Sequence, residues 1–255
     1  MSYLDRLFGL KDKVVIVTGA VGQLGSKICE GFSCAGAIVV GIDRLESDVP
    51  GCCSGYFQTD ITDRASVQKT FQAIFKQYNG CDVLINNAGV SVFTPFEERL
   101  EDHFDWVMDV NLKGTFFCIQ EYARLAKDNE CSRKIVNIAS AYGVVSPDFR
   151  NYTDCDRKNS EVYGATKAGI IQMTKYFAVH LADNNIRVNC VSPGGIFNPD
   201  DPQGEDFIRK YSFNTPMKRM AHTEEMIGAI LYLASNAASY TTGQNIVIDG
   251  GMTCW

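Results

Sequence analysis

The sequence predicts a single α/β domain in which a doubly wound, mainly parallel sheet carries helices on both faces. Short apolar runs bounded by glycine or aspartate alternate with longer segments of helical period along all 255 residues. The runs are uninterrupted rather than alternating, which is typical of strands buried on both faces. Alternation of strands and helices favours parallel strands joined by right-handed crossovers. A chain of this length can bury enough apolar surface to fold as one large domain.

The apolar runs place six strands along the chain, at 14–19, 38–43, 82–89, 134–140, 187–194 and 245–251. The segments between them predict five helices, at 23–35, 63–78, 100–127, 161–184 and 223–235. One domain therefore spans 1–255, with a polar insertion at 144–160 and a substrate loop at 197–217. Both irregular regions follow predicted strands, at the edge where open α/β sheets bind ligands.

Composition narrows the functional classes. The net charge of −6 disfavours nucleic acid or an anionic membrane as a partner. The ten cysteines include no Cys-x-x-Cys pair, and Cys52 and Cys53 are adjacent, so we expect reduced thiols and no metal site. The first residues lack the basic start and long apolar run of a signal peptide, and no stretch approaches membrane-spanning length. We therefore expect a cytoplasmic protein.

The segment VVIVTGAVGQLGSKICEGF predicts a strand, a glycine-rich turn and a helix. Gly19 suits a turn conformation that other residues resist, and Gly25 allows the helix to pack closely on the strand. Such a turn presents N–H groups and a helix N-terminus to a pyrophosphate. Asp43 ends the next strand, where a carboxylate can bind both ribose hydroxyls. The pattern predicts a dinucleotide site, with a purely structural βα turn as the alternative.

Asp43 also bears on the choice of dinucleotide. Its carboxylate would repel a 2′-phosphate, which favours NAD over NADP, whereas the adjacent Arg44 would offset part of that repulsion. Asp60 follows a third apolar stretch and is predicted to meet an adenine edge; the alternative is an acid at the N-terminus of the 63–78 helix. The sequence Asn-Asn-Ala-Gly at 86–89 ends another strand, where two amides can tie loops together as well as face the cofactor.

Three tyrosines follow the 134–140 run, and electrostatics distinguishes them. Tyr163 has Lys167 one helical turn later, and positions i and i+4 share a helix face. A free tyrosine has a pKa of about 10, and a cation at roughly 5 Å favours the phenolate by about 3 kcal/mol, or about two pKa units. Asp156 would shift the pKa of Tyr152 in the opposite direction. The pattern selects Tyr163 as an acid/base over Tyr152 and Tyr142, although a Tyr-x-x-x-Lys pair alone is common on helix surfaces.

Ser140 and Asn111 complete the candidate catalytic set. Ser140 closes a predicted strand, so we expect its hydroxyl at the carboxyl edge of the sheet, within reach of a substrate oxygen. A loop cap is the alternative role for Ser140. Asn111 lies inside an otherwise amphipathic helical segment, where a buried asparagine needs partners. A kink there would free a carbonyl for a water that also contacts Lys167.

The combination of these pieces resembles the short-chain dehydrogenase/reductase family over essentially the whole chain. The matching pieces, in order, are TGAVGQLG, NNAG, Asn111, Ser140, Tyr163-x-x-x-Lys167 and SPGGI. The resemblance implies a seven-stranded Rossmann fold and hydride transfer between a nicotinamide cofactor and an alcohol or carbonyl. It implies that Tyr163 is the general acid/base and that Lys167 holds the ribose and lowers the pKa of Tyr163. By the same resemblance, Ser140 positions the carbonyl and Asn111 supports a proton-relay water.

The resemblance also completes the predicted cofactor site, in which Ile196 would offer its backbone to the nicotinamide carboxamide. We expect NAD, with NADP the less favoured cofactor. The predicted cofactor-binding residues are Gly19, Gln23, Leu24, Gly25, Asp43, Arg44, Asp60, Ile61, Asn87, Ala88, Gly89, Tyr163, Lys167, Pro193, Gly194 and Ile196.

Three features depart from the family pattern. Gln23 stands where the family has its middle glycine, so either the turn adjusts or the Gln23 side chain contacts phosphate or ribose. Asn198 replaces a common threonine, and its amide is predicted to contact the carboxamide or the phosphates. Ser140 and Tyr163 are 23 residues apart. This separation is longer than is usual in the family, so an insertion lies between two groups that must converge.

The insertion is either a solvated surface loop or a polar wall over the substrate, because candidate catalytic residues flank it at both ends. Its charged residues are Asp148, Arg150, Asp154, Asp156, Arg157 and Lys158. The loop at 197–217 has the character of a mobile flap. Neither region has the apolar stripe expected for steroids or acyl chains, so we expect a small polar substrate: a sugar, a nucleotide-sugar or a hydroxy acid. Parts of the sequence also resemble short-chain enzymes of flagellin or surface-glycan sugar modification.

Two other functions stay open. An enzyme of related fold that retains NAD would dehydrate or epimerise a nucleotide-sugar without net redox change. A non-catalytic dinucleotide-binding regulator is the other, although it would not need the Asn-Ser-Tyr-Lys set. The helices around 103–127 and 161–184 are more apolar than one buried face requires, and the resembled family is commonly tetrameric. We therefore expect a homotetramer or dimer, with complete burial in the core as the alternative.

Overall fold

The structure, a computed structural model, describes residues 2–47, 51–126, 131–153, 158–200 and 203–254. Seven parallel strands form one sheet in the order β3-β2-β1-β4-β5-β6-β7. The strands are β1 (Val14–Thr18), β2 (Ile38–Asp43), β3 (Gly55–Gln58), β4 (Val83–Asn86), β5 (Arg133–Ile138), β6 (Ile186–Pro193) and β7 (Asn245–Ile248). The predicted doubly wound parallel sheet is confirmed. Its strand order reverses between β1 and β4, which opens a ligand crevice beyond their carboxyl ends.

Helices cover both faces of this sheet. They are α1 (Tyr3–Phe8), α2 (Gln23–Cys34), α3 (Arg64–Gln77), α4 (Glu101–Met108), α5 (Thr115–Leu125), α6 (Glu161–His180), α7 (Glu205–Asn214) and α8 (Ile227–Ala234). Successive residues of a strand point to opposite faces. Ile16 of β1 accordingly joins one apolar core with Phe71 of α3, while Val15 joins the other with Phe32 of α2. The uninterrupted apolar runs therefore supply two cores.

The two longest predicted helices are divided, and the helix predicted at 223–235 begins as a 3₁₀ helix at Thr223–Met226 before α8. The helix predicted at 100–127 consists of α4, a π-helix at Asp109–Gly114 and α5. The helix predicted at 161–184 ends at His180 and is followed by a 3₁₀ turn at Ala182–Asn184. Asn185 then adopts a φ of 55°, which stops helical propagation. Apolar periodicity spans both interruptions, so the pattern alone could not locate them.

Two elements at the ligand-binding side, β3 and α7, were not predicted from the sequence. β3 is a short edge strand without a buried residue, so it has no apolar run to identify it. α7 lies within the region predicted to be an irregular loop, and its charged sequence buries only Tyr211. In the described parts of the chain, no helix combines the length and apolarity that a membrane crossing needs.

Candidate active site

The glycine-rich turn joins β1 to α2 with almost no room for side chains. Gly19 has a φ of +67°, and a Cβ there would lie 2.8 Å from the Cα of Ala88. A Cβ on Gly25 would overlap the carbonyl oxygen of Gly19, so only glycine permits this approach of α2. The first N–H groups of a helix have no partner inside it. The turn therefore offers donors to an anionic group.

Gln23, the first residue of α2, uses its side chain to tie the turn to the loop after β6. Its Nε2 donates to the carbonyl oxygen of Phe197 at 2.8 Å. Gln23 also lines the large cleft, so the alternative in which its side chain contacts phosphate or ribose stays a prediction. Asn198 Oδ1 accepts from the backbone N of Asp200 at 3.2 Å and so caps a local turn, while the predicted contact of its amide with the cofactor stays a prediction.

Two acids lie at the ends of β2 and β3, as their predicted role requires. Asp43 accepts a hydrogen bond from the backbone N of Val21 in the glycine turn, at 3.2 Å. Asp60 accepts from both the backbone and the hydroxyl of Thr62 at 2.8 Å. The residue that caps α3 is Asp63 rather than Asp60, so the alternative role for Asp60 as that cap is wrong.

The two asparagines that end β4 brace the sheet edge. Asn87 donates from Nδ2 to the carbonyl oxygens of Thr18 and Gly19, at 3.0 and 3.1 Å. Asn86 donates to Asn137 Oδ1 of β5 at 2.8 Å. These amides fix the strand ends against one another, so their structural role is visible directly in the fold.

One large cleft follows the carboxyl ends of β1, β2 and β4. It has a volume of about 580 Å³. All the predicted cofactor-binding residues line this large cleft: Gly19, Gln23, Leu24, Gly25, Asp43, Arg44, Asp60, Ile61, Asn87, Ala88, Gly89, Tyr163, Lys167, Pro193, Gly194 and Ile196. Ser91 and Trp106 also line it, but they belong to no motif, so no pattern in the chain could have indicated them. The Ser91 hydroxyl is buried there without a hydrogen-bond partner.

Ser140, Tyr163 and Lys167 converge at one end of the large cleft. Ser140 and Tyr163 both line this end, and Ser140 acts on the Tyr163 hydroxyl in the direction that lowers its pKa. Ser140 also accepts from the backbone N of Tyr142 at 3.1 Å, so it caps the next turn as well. Lys167 Nζ lies 5.6 Å from the centre of the Tyr163 ring and donates to the carbonyl oxygen of Ile138 at 2.9 Å. The i, i+4 spacing thus brings the two side chains together.

We predicted that Lys167 lowers the pKa of Tyr163, but in the protein the pKa of Tyr163 is raised. Burial raises the pKa of Tyr163, and the Ser140 side chain only opposes that shift. Burial also lowers the pKa of Lys167 to about 8. The lysine therefore loses its proton before the tyrosine does, and no cation is present at the pH where a phenolate would form. The sequence argument counted the charge of Lys167 but not its desolvation.

Asn111 sits at the centre of the π-helix with all its side-chain bonds directed at neighbouring elements. Its Oδ1 accepts from the backbone N of Val90 at 2.7 Å, and its Nδ2 donates to the Val90 carbonyl oxygen at 2.9 Å. The same Nδ2 donates to Thr166 Oγ1 on α6 at 3.1 Å. The Asn111 carbonyl oxygen accepts from Thr115 Oγ1 at 2.7 Å. The predicted local break in the helix is present, and Asn111 joins it to the loop after β4 and to α6.

A small cavity of about 360 Å³ adjoins the large cleft. The two share Ser140 and Tyr163. Side chains that the sequence did not single out for this cavity also line it, among them Phe93, Asn159, Gln203, Phe207, Tyr211 and Met252. They come from several separate segments, so no local spacing could reveal them. Ser140 and Tyr163 thus stand between two adjoining spaces.

The far side of the small cavity is a composite wall, formed by residues 148–153 of the insertion and by α7. Asn214 of α7 donates to Asn151 Oδ1 at 2.7 Å, and Asn151 is only 3% exposed. Thr153 hydrogen-bonds to Asp206. The rings of Tyr152 and Phe207 pack with centroids 4.9 Å apart. The described part of the insertion is therefore a packed wall rather than a solvated loop.

Tyr142 and Tyr152 belong to the walls of the small cavity. Burial raises the pKa of Tyr142, and a hydrogen bond with Tyr152 adds to the effect. Tyr142 thus stays a neutral hydroxyl, in keeping with its rejection as the base. The predicted influence of Asp156 on Tyr152 involves a residue outside the described ranges, and Asp154 and Arg157 of the predicted polar wall also lie outside them. Over the described ranges, no cluster of three or more His, Cys, Asp or Glu side chains could hold a metal ion.

Comparison with known proteins agrees with this geometry. A family model described as enoyl-(acyl carrier protein) reductase matches residues 19–253. A solved short chain dehydrogenase from Leptospira borgpetersenii serovar Hardjo-bovis, with bound NAD⁺, is 41% identical. It superposes with a TM-score of 0.90, over 99% of this chain and 96% of that one.

Two curated relatives also match along nearly their whole length. The NAD-dependent glycerol dehydrogenase of Listeria innocua is 34% identical, over 98% of this chain and 97% of the relative. The 3-oxoacyl-[acyl-carrier-protein] reductase FabG of Thermotoga maritima is 35% identical, over 95% and 98%. With the parallel sheet, the glycine turn and the Ser140–Tyr163–Lys167 cluster, these matches show that the chain belongs to the short-chain dehydrogenase/reductase family of NAD(P)-dependent oxidoreductases.

Proposed function

We propose that the protein is an NAD-dependent dehydrogenase/reductase that interconverts a hydroxyl and a carbonyl on a small polar substrate, with Tyr163 as general acid/base. The observation that carries the proposal is the junction between the two spaces. Ser140 and Tyr163 line both the large cleft and the small cavity. A substrate oxygen in the small cavity would therefore lie against two hydroxyls at the boundary with the cofactor.

The residues of the large cleft fit a dinucleotide. The glycine turn excludes side chains where a pyrophosphate would approach, and Asp43 is held beside that turn by Val21. Ser91 Oγ is buried in the cleft without a partner, so it suits a polar ligand atom. When bound, the nicotinamide supplies the hydride donor or acceptor. Lys167 lines the same cleft beside Tyr163 and is the residue proposed to hold the ribose.

The proton chemistry then falls to Tyr163. Its raised pKa keeps the hydroxyl protonated at neutral pH, which suits donation to a carbonyl oxygen during reduction. Ser140 lines both spaces with Tyr163, so its hydroxyl can hold the carbonyl oxygen beside Tyr163. In the oxidation direction, Tyr163 must accept the proton, so we expect alcohol oxidation to accelerate as pH rises and the phenolate becomes accessible. Asn111 is proposed to support this end of the site by fixing the π-helix against the Val90 loop.

NAD is the proposed cofactor because Asp43 faces the large cleft and would repel a 2′-phosphate. Arg44 also lines the cleft, but it is exposed. Solvent therefore weakens the attraction by which Arg44 would offset the repulsion of a 2′-phosphate. We expect kcat/KM for NAD to exceed that for NADP, and Asp43→Ser to shrink the ratio by roughly tenfold or more, the effect of about 1.4 kcal/mol. A ratio unchanged by Asp43→Ser would show that this carboxylate does not select the cofactor.

Tyr163→Phe tests the chemical role directly. We expect kcat to fall by roughly 10²- to 10⁴-fold while NAD affinity stays within a few-fold, because only the hydroxyl is removed. Tyr240→Phe is the matched control, since Tyr240 is fully exposed and lines neither cavity. Wild-type turnover by Tyr163→Phe would contradict the proposal. A dehydrogenase releases one NADH for each alcohol oxidised, whereas a dehydratase or epimerase that retains its NAD releases none, so measuring NADH release distinguishes the two functions.

We also propose that copies of this chain associate through the outer face of α6. Tyr176 and Val179 are 61% and 81% exposed on this helix. Tyr176 stacks on His180, so an ordered aromatic surface faces outward. Light scattering of the purified protein measures the oligomeric state, and Val179→Glu should shift it towards monomer.

A further inference from the structure

Two residues beside the composite wall, Asn159 and Gln203, line the small cavity and carry unsatisfied amide oxygens. Asn159 Oδ1 and Gln203 Oε1 are both shielded from solvent and have no hydrogen-bond partner. Both residues line the small cavity, and neither lines the large cleft. Buried carbonyl-type oxygens without donors are rare because leaving them unpaired costs free energy. These two oxygens therefore indicate where donors of a bound molecule belong.

The orientation of Gln203 is set by the protein itself. Its Nε2 donates to the carbonyl oxygen of Ile196 at 3.3 Å. A flipped amide would place two oxygens together at this contact, which is unfavourable. The Gln203 oxygen is consequently the atom left for a ligand, and it needs a donor such as a hydroxyl.

The remaining lining supplies apolar contact and no charge. Aromatic rings of Phe93, Tyr152 and Phe207 line the cavity, together with Met220 and Met252. Of the lining residues that the structure describes, none is Lys, Arg, Asp or Glu. The nearby acid Asp206 of α7 is held by Lys210 at 2.9 Å. The cavity volume of about 360 Å³ lies near the small end of ligand pockets, which run from roughly 300 to 1,000 Å³.

We propose that the small cavity encloses the uncharged, polyhydroxylated part of a sugar or polyol, and that Asn159 and Gln203 determine specificity by accepting hydrogen bonds from hydroxyls other than the reacting one. This inference rests on the proposed dehydrogenase function and narrows its substrate class. The reacting hydroxyl lies at Ser140 and Tyr163, the other hydroxyls meet the two amide oxygens, and the C–H faces pack on the aromatic rings. An acyl chain would leave both oxygens unpaired.

The test compares polyols with matched alcohols that lack the additional hydroxyls. Pentitols, hexitols and aldoses are assayed with NAD beside secondary alcohols of equal chain length, and each sugar is paired with its phosphate. We expect wild-type kcat/KM to favour the polyhydroxylated members by at least tenfold. Asn159→Leu and Gln203→Met should each reduce that preference by roughly tenfold, the effect of about one hydrogen bond. NAD affinity should be unchanged in both variants.

Gln244→Met is the matched control, because Gln244 is an exposed amide outside both cavities. Equal losses for polyols and simple alcohols in the two variants would overturn the specificity roles. A wild-type preference for simple alcohols or acyl thioesters would overturn the substrate class while leaving Tyr163-dependent dehydrogenation intact. The enzyme could accept only the sugar phosphates while the two variants still lose their preference for hydroxylated substrates. That result would support a cavity that encloses the hydroxylated part of the sugar, with the phosphate outside it. Failure of the proposed function would look different: no alcohol would yield NADH in a Tyr163-dependent way.

Discussion

Replacement of Lys167 by methionine should stabilise the protein while damaging its activity. Lys167 is only 4% exposed, and burial lowers its pKa from 10.5 to about 8. Holding the charged lysine in the folded chain at pH 7 therefore costs about 3 kcal/mol, at about 1.4 kcal/mol for each pKa unit. Methionine removes the charge but also removes the hydrogen bond to Ile138, worth about 1 kcal/mol. The expected net gain in unfolding free energy is about 2 kcal/mol.

The stability gained by Lys167→Met should decrease as pH rises, because Lys167 loses its proton at a lower pH in the folded chain than in the unfolded chain. Below pH 8 both folded and unfolded chains carry the proton on Lys167, so the full cost is present. Between about pH 8 and 10.5 the folded chain has released the proton and the unfolded chain has not. Unfolding then takes up a proton, so wild-type stability rises with pH relative to Lys167→Met. The gain from the substitution should shrink by about 1.4 kcal/mol per pH unit over this interval.

Urea unfolding followed by circular dichroism at pH 7, 8, 9 and 10 measures this difference, with protein concentration held constant. Lys134→Met is a useful comparison. Burial also lowers the pKa of Lys134 to about 8, yet this residue lies outside both cavities. It should show the same pH trend in stability without loss of NAD binding. A variant Lys167→Met that is less stable than wild type at every pH, with a constant difference, would refute the reasoning.

Three further substitutions or reactions probe the parts around the cleft. Gln23→Ala removes the bond to the Phe197 carbonyl oxygen; we expect KM for substrate to rise several-fold and the unfolding free energy to fall by about 1 kcal/mol, and unchanged kinetics would show that the tie is dispensable. Gly25→Ala would place a Cβ 1.8 Å from the carbonyl oxygen of Gly19, so we expect calorimetry to show a fall in both NAD affinity and stability, and unchanged NAD affinity would contradict this. The neighbouring thiol of Cys29 lowers the pKa of Cys53 below its ordinary value, so alkylation followed by mass spectrometry should modify Cys53 at a lower pH than a free cysteine; the same pH profile for both would contradict this.

The sequence predicted those parts of the site that depend on local spacing. Gly19 and Gly25 are fixed by one turn, and Tyr163 and Lys167 by one helical turn, so a pattern of a few residues contains the geometry. It failed where the outcome depends on environment. The direction of the Tyr163 pKa shift required knowing how deeply Lys167 is buried, which spacing does not reveal.

The small cavity was less accessible to sequence reasoning for a different reason. Its wall forms where residues 148–153 meet α7, and these segments are charged, distant in sequence and without apolar period. The Asn214–Asn151 bond and the Tyr152–Phe207 contact are long-range pairings between irregular stretches. Either segment alone has the appearance of a solvated loop, and only their mutual packing makes them a wall.

The long separation of Ser140 and Tyr163 is compatible with catalysis because the elements that flank the insertion fix both residues. Ser140 caps the turn that follows β5, and Ser160 caps α6 by accepting from the backbone N of Tyr163 at 3.3 Å. Gly143 lies so close to α6 that a Cβ there would come within 2.7 Å of the backbone of Lys167. The chain after Ser140 is thus pressed against the helix that carries Tyr163 before the described insertion residues reach α7. Separate contacts therefore hold the composite wall and the pair Ser140 and Tyr163. Changes in the composite wall should alter substrate preference without displacing Tyr163.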